Sequence, residues 1–151
     1  MRRHRHLPQA AAALALTVAC ALQAAPERFT LDPAHSFVYF EVMHFGTSTL
    51  RGRLGPVRGE VVQDAANGSG ELGLSIPMTS VNTGVPALDR RLCEPDLLDC
   101  NAWPTAWFVA RQFRFDVQQR LTAVNGELTL RGVSEPLLLT AQRTGCHNVP
   151  L

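Results

Sequence analysis

The chain has 151 residues, with 14 arginines, no lysine, 13 acidic residues and a formal charge of +1, and it is long enough for one domain with its own core. Three arginines precede residue 6 and every acidic residue follows residue 25, so the rest of the chain has a small acidic excess. This distribution excludes a basic surface for nucleic acid or for an anionic membrane.

The first 24 residues have the pattern of a secretory signal peptide. A basic start, Met1–Arg5, precedes an Ala-rich apolar run that is too short and too weakly hydrophobic for a stable membrane span. We therefore expect cleavage near Ala24, export to the bacterial periplasm or beyond, and one mature domain over residues 25–151. The alternative is a lipoprotein acylated at Cys20, although the Leu that the lipoprotein motif requires is missing.

Stretches rich in alternating, aromatic and β-branched residues predict seven antiparallel strands in the mature chain. The predicted strands cover Glu27–Leu31, Ser36–Phe45, Arg51–Val62 with a bend at Gly55–Pro56, Glu71–Met78, Thr105–Phe115, Leu121–Leu130 and Glu135–Ala141. The second strand is mostly apolar on both faces, as expected for a barrel wall between a packed layer and an internal cavity. Residues 80–101 predict one or two short helical turns across a barrel end. The pattern favours an all-β barrel or sandwich with one short helical excursion.

Residue types that carry catalysis or bind metals are sparse in the mature chain. No HExxH, Gly-x-Ser-x-Gly or metal-spaced Cys/His cluster occurs, so the sequence predicts no metal site and no cofactor. His35 and His44 fit structural hydrogen-bonded roles, and the alternative is a periplasmic enzyme or electron-transfer accessory that uses both. Cys93 and Cys100 lack zinc-site spacing, and they either pair in an oxidising compartment or remain semi-buried thiols. Cys146 has no obvious partner.

Burial of an apolar ligand is the chemistry that this composition favours. The candidate lining of a ligand tunnel comprises apolar residues on the alternating faces of the strands: Phe40, Val42, Leu72, Leu74, Ile76, Phe108, Leu128 and Leu130. The same side chains would also fill a small barrel as its core, with no ligand. His35, His44 and Arg90 are candidate polar contacts, although Arg90 and Arg91 also fit positions that are solvated or paired with carboxylates.

An ordered set of short motifs across the mature chain resembles the YceI family. The motifs are Asp32-Pro33-Ala34-His35-Ser36, Val38-x-Phe40-x-Val42-x-His44-x-Gly46, Gly52-Arg53, Ser80-Val81-Asn82-Thr83-Gly84, Asp89-Arg90-x-Leu92, Pro104-x-Ala106-x-Phe108 and Gly126-x-Leu128-Thr129-Leu130-x-Gly132-Val133. The resemblance implies an exported, lipocalin-like β-barrel that binds a polyisoprenoid or another long-chain lipid in an internal tunnel, in a carrier, storage or stress role. It favours the tunnel over the filled core and binding over catalysis.

The chain departs from the family pattern in three places. Arg91 stands where the family often has His, Leu97–Leu98 replaces a usual Phe pair, and the family's C-terminal strands are not found before Leu151. We therefore expect a barrel that is incomplete at its C-terminal end. The strand at Glu135–Ala141 would then be an unpaired edge, which favours aggregation or pairing with another chain.

Overall fold

The structure is a computed structural model that describes residues 25–143. These residues form mainly antiparallel β-strands. Its strands are β1 (Glu27–Thr30), β2 (Val38–His44), β3 (Ser48–Leu54), β4 (Arg58–Asp64), β5 (Ser69–Pro77), β6 (Thr105–Phe115), β7 (Leu121–Leu130) and β8 (Val133–Thr140). A 3-10 turn at Met78–Ser80 follows β5 directly, and the short helix α1 spans Pro86–Leu92. The predictions made for the signal peptide, for Cys20 and for Cys146 lie outside the described residues.

The strands form two sheets. Six of them pair in the order β1-β4-β5-β6-β7-β8, and β2 and β3 form a separate two-stranded hairpin. Backbone hydrogen bonds of 2.9 Å in both directions between Arg53 and Asn82 join the end of β3 to the segment after the 3-10 turn. The predicted all-β antiparallel architecture with one helical excursion is confirmed. Within residues 25–143 no strand pairs with the outer edge of β1 or of β8, so the six-stranded sheet does not close on itself.

The prediction of one continuous strand over Arg51–Val62 is wrong. The segment is divided between β3 and β4, which belong to different sheets. Gly55 has a φ of 141°, which side-chain-bearing residues rarely adopt, and Pro56 has no N–H to donate to a ladder. The Gly55 N–H donates instead to Ser80 Oγ at 2.8 Å, so the turn between the sheets is anchored to the 3-10 turn.

Two hydrophobic clusters occupy the interior, one towards α1 and one towards the β4–β5 and β6–β7 turns. The first cluster consists of Leu54, Val57, Ile76, Met78, Val81, Cys100 and Ala106. The second cluster consists of Phe108, Ala110, Phe113 and Val124. Leu74 and Leu128 pack against both clusters, so they mark the boundary between the two halves of the interior.

A β-bulge in β6 preserves the inward direction of its later side chains. Ala110 pairs with Gly126, but the next pair is Gln112 with Asn125, so Arg111 is an extra residue in the ladder. Ala110 and Phe113 are both buried even though three positions separate them. In a strand without a bulge, residues three positions apart point to opposite faces, so the bulge is what directs both side chains into the interior.

Candidate functional site

An apolar cavity of about 280 Å³ lies beside the first cluster. Every residue that lines it is apolar: Val38, Phe40, Val42, Leu54, Ile76, Met78, Leu92, Leu98, Ala106, Leu128 and Leu130. Val42 is 54% exposed and is the most exposed of them, so the cavity opens to solvent beside it. The volume is close to the lower end of small-molecule pockets, which span roughly 300–1,000 Å³.

The β2–β3 hairpin provides one wall of the cavity. Val38, Phe40 and Val42 share one face of β2 because successive side chains of a strand alternate. Phe40 pairs in register with Gly52 on β3. A Cβ atom on Gly52 would lie 2.3 Å from Cζ of Phe40, so glycine is required there for the ring to lie across β3.

The opposite wall comes from β5, β6 and β7. Ile76 pairs in register with Ala106, and both are buried, at 5% and 3% exposure. Leu128 and Leu130 extend this wall on β7 and are half-buried. The small side chain of Ala106 lies between larger ones, and the space that it leaves is part of the cavity.

A lid covers one end of the cavity. We define the lid as residues 86–103, which comprise α1 and the loop before β6. Leu92 and Leu98 of the lid line the cavity, and the Leu98 N–H donates to the Leu92 carbonyl oxygen at 2.9 Å. A disulfide joins Cys93 to Cys100 across this loop, and Cys100 is only 2% exposed. The lid is therefore cross-linked within two residues of each cavity-lining leucine.

Two contacts fasten the lid to the turn between β7 and β8. Arg131 donates hydrogen bonds to the carbonyl oxygens of Leu97, at 2.6 Å, and Pro95, at 3.0 Å. Trp103 packs over Gly132, where a Cβ atom would lie 2.6 Å from the indole ring. Sequence reasoning missed Arg131 and Trp103, because no local pattern indicates contacts between such distant parts of the chain.

An ion pair stabilises the lid internally. Both terminal nitrogens of Arg91 donate to Asp96, at 2.7 and 2.6 Å, and Nη1 of Arg91 also donates to Glu94 at 3.1 Å. The hydrogen bonds from Arg91 hold the pKa of the Asp96 carboxyl below its ordinary value of 3.8. Arg90, a candidate polar contact, lies exposed on α1 and does not line the cavity.

The two candidate histidines lie at opposite ends of β2, outside the cavity. His35 Nδ1 is 2.6 Å from Asp32 Oδ2, with the two side chains 83% and 62% exposed. Hydrogen bonding to His35 lowers the pKa of the Asp32 carboxyl. His44 is the last residue of β2, and its ring centroid is 4.3 Å from that of Phe45. Among residues 25–143, no group of three or more His, Cys, Asp and Glu side chains is placed to hold a metal ion.

The structure places five of the eight predicted lining residues around the cavity: Phe40, Val42, Ile76, Leu128 and Leu130. The other three lie further along the interior. Phe108 belongs to the second cluster, Leu72 packs against it, and Leu74 packs against both clusters. Val38 shares a face with Phe40, so alternation alone could have identified it. The lid leucines, Leu92 and Leu98, had no comparable signal.

A larger groove of about 490 Å³ lies on the outer face of the six-stranded sheet. Its lining mixes exposed apolar side chains such as Trp107 with charged ones, including the Arg28–Glu60 ion pair. The groove is open to solvent along its length, whereas ligand sites bury most of the surface of their ligand. We therefore assign the candidate site to the smaller internal cavity. Within the described range, no helix is long and apolar enough to cross a membrane.

The amino-acid sequence of the chain is similar to that of known proteins. Residues 29–149 match a protein-family profile described as the YceI-like domain. A UPF0312 protein of Pseudomonas paraeruginosa is 31% identical over 137 residues, which cover 90% of this chain and 71% of that protein.

Two solved structures share the fold. A YceI protein of Campylobacter jejuni has 26% identity and a TM-score of 0.54, with 73% of this chain and 64% of that chain covered. A polyisoprenoid binding domain from Saccharophagus degradans has 17% identity and a TM-score of 0.54, with 76% of this chain and 65% of that chain covered. This chain thus spans less than two thirds of either solved chain.

Proposed function

The chain belongs to the YceI-like domain family, and from that premise we propose that it binds an apolar lipid, with a polyisoprenoid as the favoured class, in its internal cavity. The observation that carries the proposal is the cavity itself, whose eleven lining residues are all apolar. The domain from Saccharophagus degradans, which is described as polyisoprenoid-binding, supports the proposal through its fold.

The residues that line the cavity have no polar side-chain groups to offer a ligand. The transfer of each methylene group of a ligand from water to an apolar site contributes about 0.8 kcal/mol to the binding free energy. A polar ligand would lose its hydrogen bonds with water and find none in this cavity, which is costly. The ligand therefore inserts an apolar chain and keeps any polar head group outside, at the opening beside Val42.

The proposed activity is binding and not catalysis. An enzyme that used His35 and His44 would need them in one cleft with a further polar group. The two side chains lie at opposite ends of β2, and neither lines the cavity. The Asp32–His35 pair is largely exposed to water.

We also propose that the protein acts outside the cytoplasm. The basic and Ala-rich leader supports this, and so does the Cys93–Cys100 disulfide, since disulfides persist in oxidising compartments. N-terminal sequencing of protein from a bacterial periplasm is expected to begin near Ala25. An intact Met1 on the exported protein would contradict cleavage, and an acyl group on Cys20 would favour the lipoprotein alternative.

A matched pair of arginine variants tests lipid binding. Ile76→Arg places an unpaired charge at a cavity-lining position that is 5% exposed, and we expect it to cost about 3–5 kcal/mol and to abolish lipid co-purification. Val109→Arg places the same charge on the outer face of β6, at a position that is 50% exposed, and should leave bound lipid unchanged.

The measurement is native mass spectrometry of each protein from the bacterial host, followed by solvent extraction of the bound molecule. Circular dichroism checks that each variant is folded. The proposal would be contradicted if folded Ile76→Arg carried as much lipid as the wild type. It would also be contradicted if the folded wild type neither carried lipid nor bound added polyprenol.

A further inference from the structure

The cavity ends at Phe108. Ala106 lines the cavity, and Phe108 is the next residue on the same face of β6 but does not line it. Phe108 is 2% exposed and is among the most completely buried side chains of the described residues. Its register partners are Leu74 on β5 and Leu128 on β7, the two leucines that pack against both clusters. The phenyl ring therefore stands at the boundary between the two halves of the interior.

Behind Phe108 the interior is filled by the second cluster. Ala110, Phe113 and Val124 are buried there at 8% exposure or less. The Phe113 ring lies so close to Gly70 that a Cβ atom on this glycine would be 2.5 Å from the ring. A ligand that advanced from the cavity along β6 would have to displace Phe108 first and then this packed cluster.

We propose that Phe108 limits the length of the apolar chain that the cavity encloses to about ten carbon atoms. This inference rests on the proposed function of lipid binding. An apolar cavity of about 150 Å³ accepts benzene, with its six carbons, so the 280 Å³ of this cavity accommodate on the order of ten. Carbons beyond that number remain outside the opening beside Val42.

The inference predicts how affinity depends on chain length. Each methylene that enters the cavity should tighten binding about fourfold. Once about ten carbons are buried, a further methylene stays in water, and the affinity should stop increasing. A tunnel that ran through both halves of the interior would instead give an affinity that rises steadily through the series.

The experiment measures binding of saturated primary alcohols of about six to sixteen carbons by isothermal titration calorimetry, on protein freed of endogenous lipid. In the wild type, we expect dissociation constants to fall up to about ten carbons and then to level off. Removing the six ring carbons in Phe108→Ala should move the plateau towards longer chains by up to about six carbons.

Phe113→Ala is the matched control because it removes the same ring from the second cluster, behind Phe108. It should lower the melting temperature, as Phe108→Ala does, but it should leave the plateau at the wild-type length. If Phe108→Ala fails to fold, Phe108→Leu keeps most of the buried surface and should show a smaller shift in the same direction.

The possible outcomes distinguish the length limit set by Phe108 from the ability to bind lipid at all. Affinity that keeps rising beyond about ten carbons in the wild type would overturn the length limit and leave lipid binding intact. A plateau that stays unchanged in a folded Phe108 variant would overturn the role of this residue. If the folded wild type bound no alcohol of any length, the proposed function itself would fail.

Discussion

The two halves of the interior come from the same alternating strands, yet one contains a cavity and the other is filled. In the filled half, Phe108 and Phe113 of β6 project into the space between the strands, and Gly70 provides the room for the Phe113 ring. In the other half, Ala106 is the only residue of β6 that lines the cavity, and the lid covers one end of the space. Alternation therefore decides which way a side chain faces, but side-chain size and the covering segment decide whether the interior is packed.

The first prediction tests whether the lid maintains the half of the interior that contains the cavity. The double variant Cys93→Ala/Cys100→Ala should lose about 2–3 kcal/mol of unfolding free energy, because a cross-link over this short loop restricts the unfolded chain. In hydrogen exchange, the amides of Leu92 and Leu98 should lose protection, while those around Phe113 should keep theirs. Wild-type protein in a dithiol reductant should behave like the variant. Equal loss of protection in both halves would show that they open as one unit.

A pair of leucine variants compares packing in the two halves directly. Leu72 packs against the filled cluster and Leu130 lines the cavity, and both are half-buried. Leu72→Ala should cost about 2–3 kcal/mol in urea denaturation, and Leu130→Ala about 1 kcal/mol less, because Leu130 already faces empty space on one side. Equal costs in the two variants would mean that the cavity half is packed as tightly as the other.

The smallest effect concerns the lid ion pair and pH. The pKa of Asp96 is lowered by Arg91, so the carboxylate and its stabilising contact are present at neutral pH and above the ordinary value of 3.8. The contact is lost as the pH falls below that value and through the folded-state pKa. The protection factors of the lid amides, which are corrected for the intrinsic pH dependence of exchange, should therefore be unchanged between neutral and mildly acidic pH and should fall only below it. Asp96→Asn should abolish this acid response, whereas Asp116→Asn, which removes another carboxyl with a lowered pKa, should preserve it.

The fold was predictable from the sequence wherever apolar and polar residues alternate regularly along the chain. Thr105–Phe115 and Leu121–Leu130 are predicted with the bounds that the structure shows. The division of Arg51–Val62 was not predicted, because a Gly-Pro pair permits either a bend within one strand or a change of sheet. Contacts between Gly55 and Ser80 decide between them, and these depend on tertiary structure.

The candidate site was predictable only in part, for a related reason. Leu128 and Leu72 both belong to strands in which apolar residues alternate, and both face the interior. Only Leu128 lines the cavity. Their difference arises from Phe108, whose size separates the two regions. The lid residues Leu92 and Leu98 reach the cavity because Arg131 and the disulfide fix their loop, and no periodicity encodes these contacts.

The bulge at Arg111 has a consequence for how this strand tolerates insertions and deletions. In most strands the gain or loss of one residue turns every later side chain to the opposite face. In β6 the additional residue is absorbed locally, with Arg111 and Gln112 both directed away from the interior and Ala110 and Phe113 both directed into it. A descendant that lacked Arg111 would regain plain alternation and still present Phe113 to the core. Evolution can therefore change the length of this strand by one residue without changing what the interior contains.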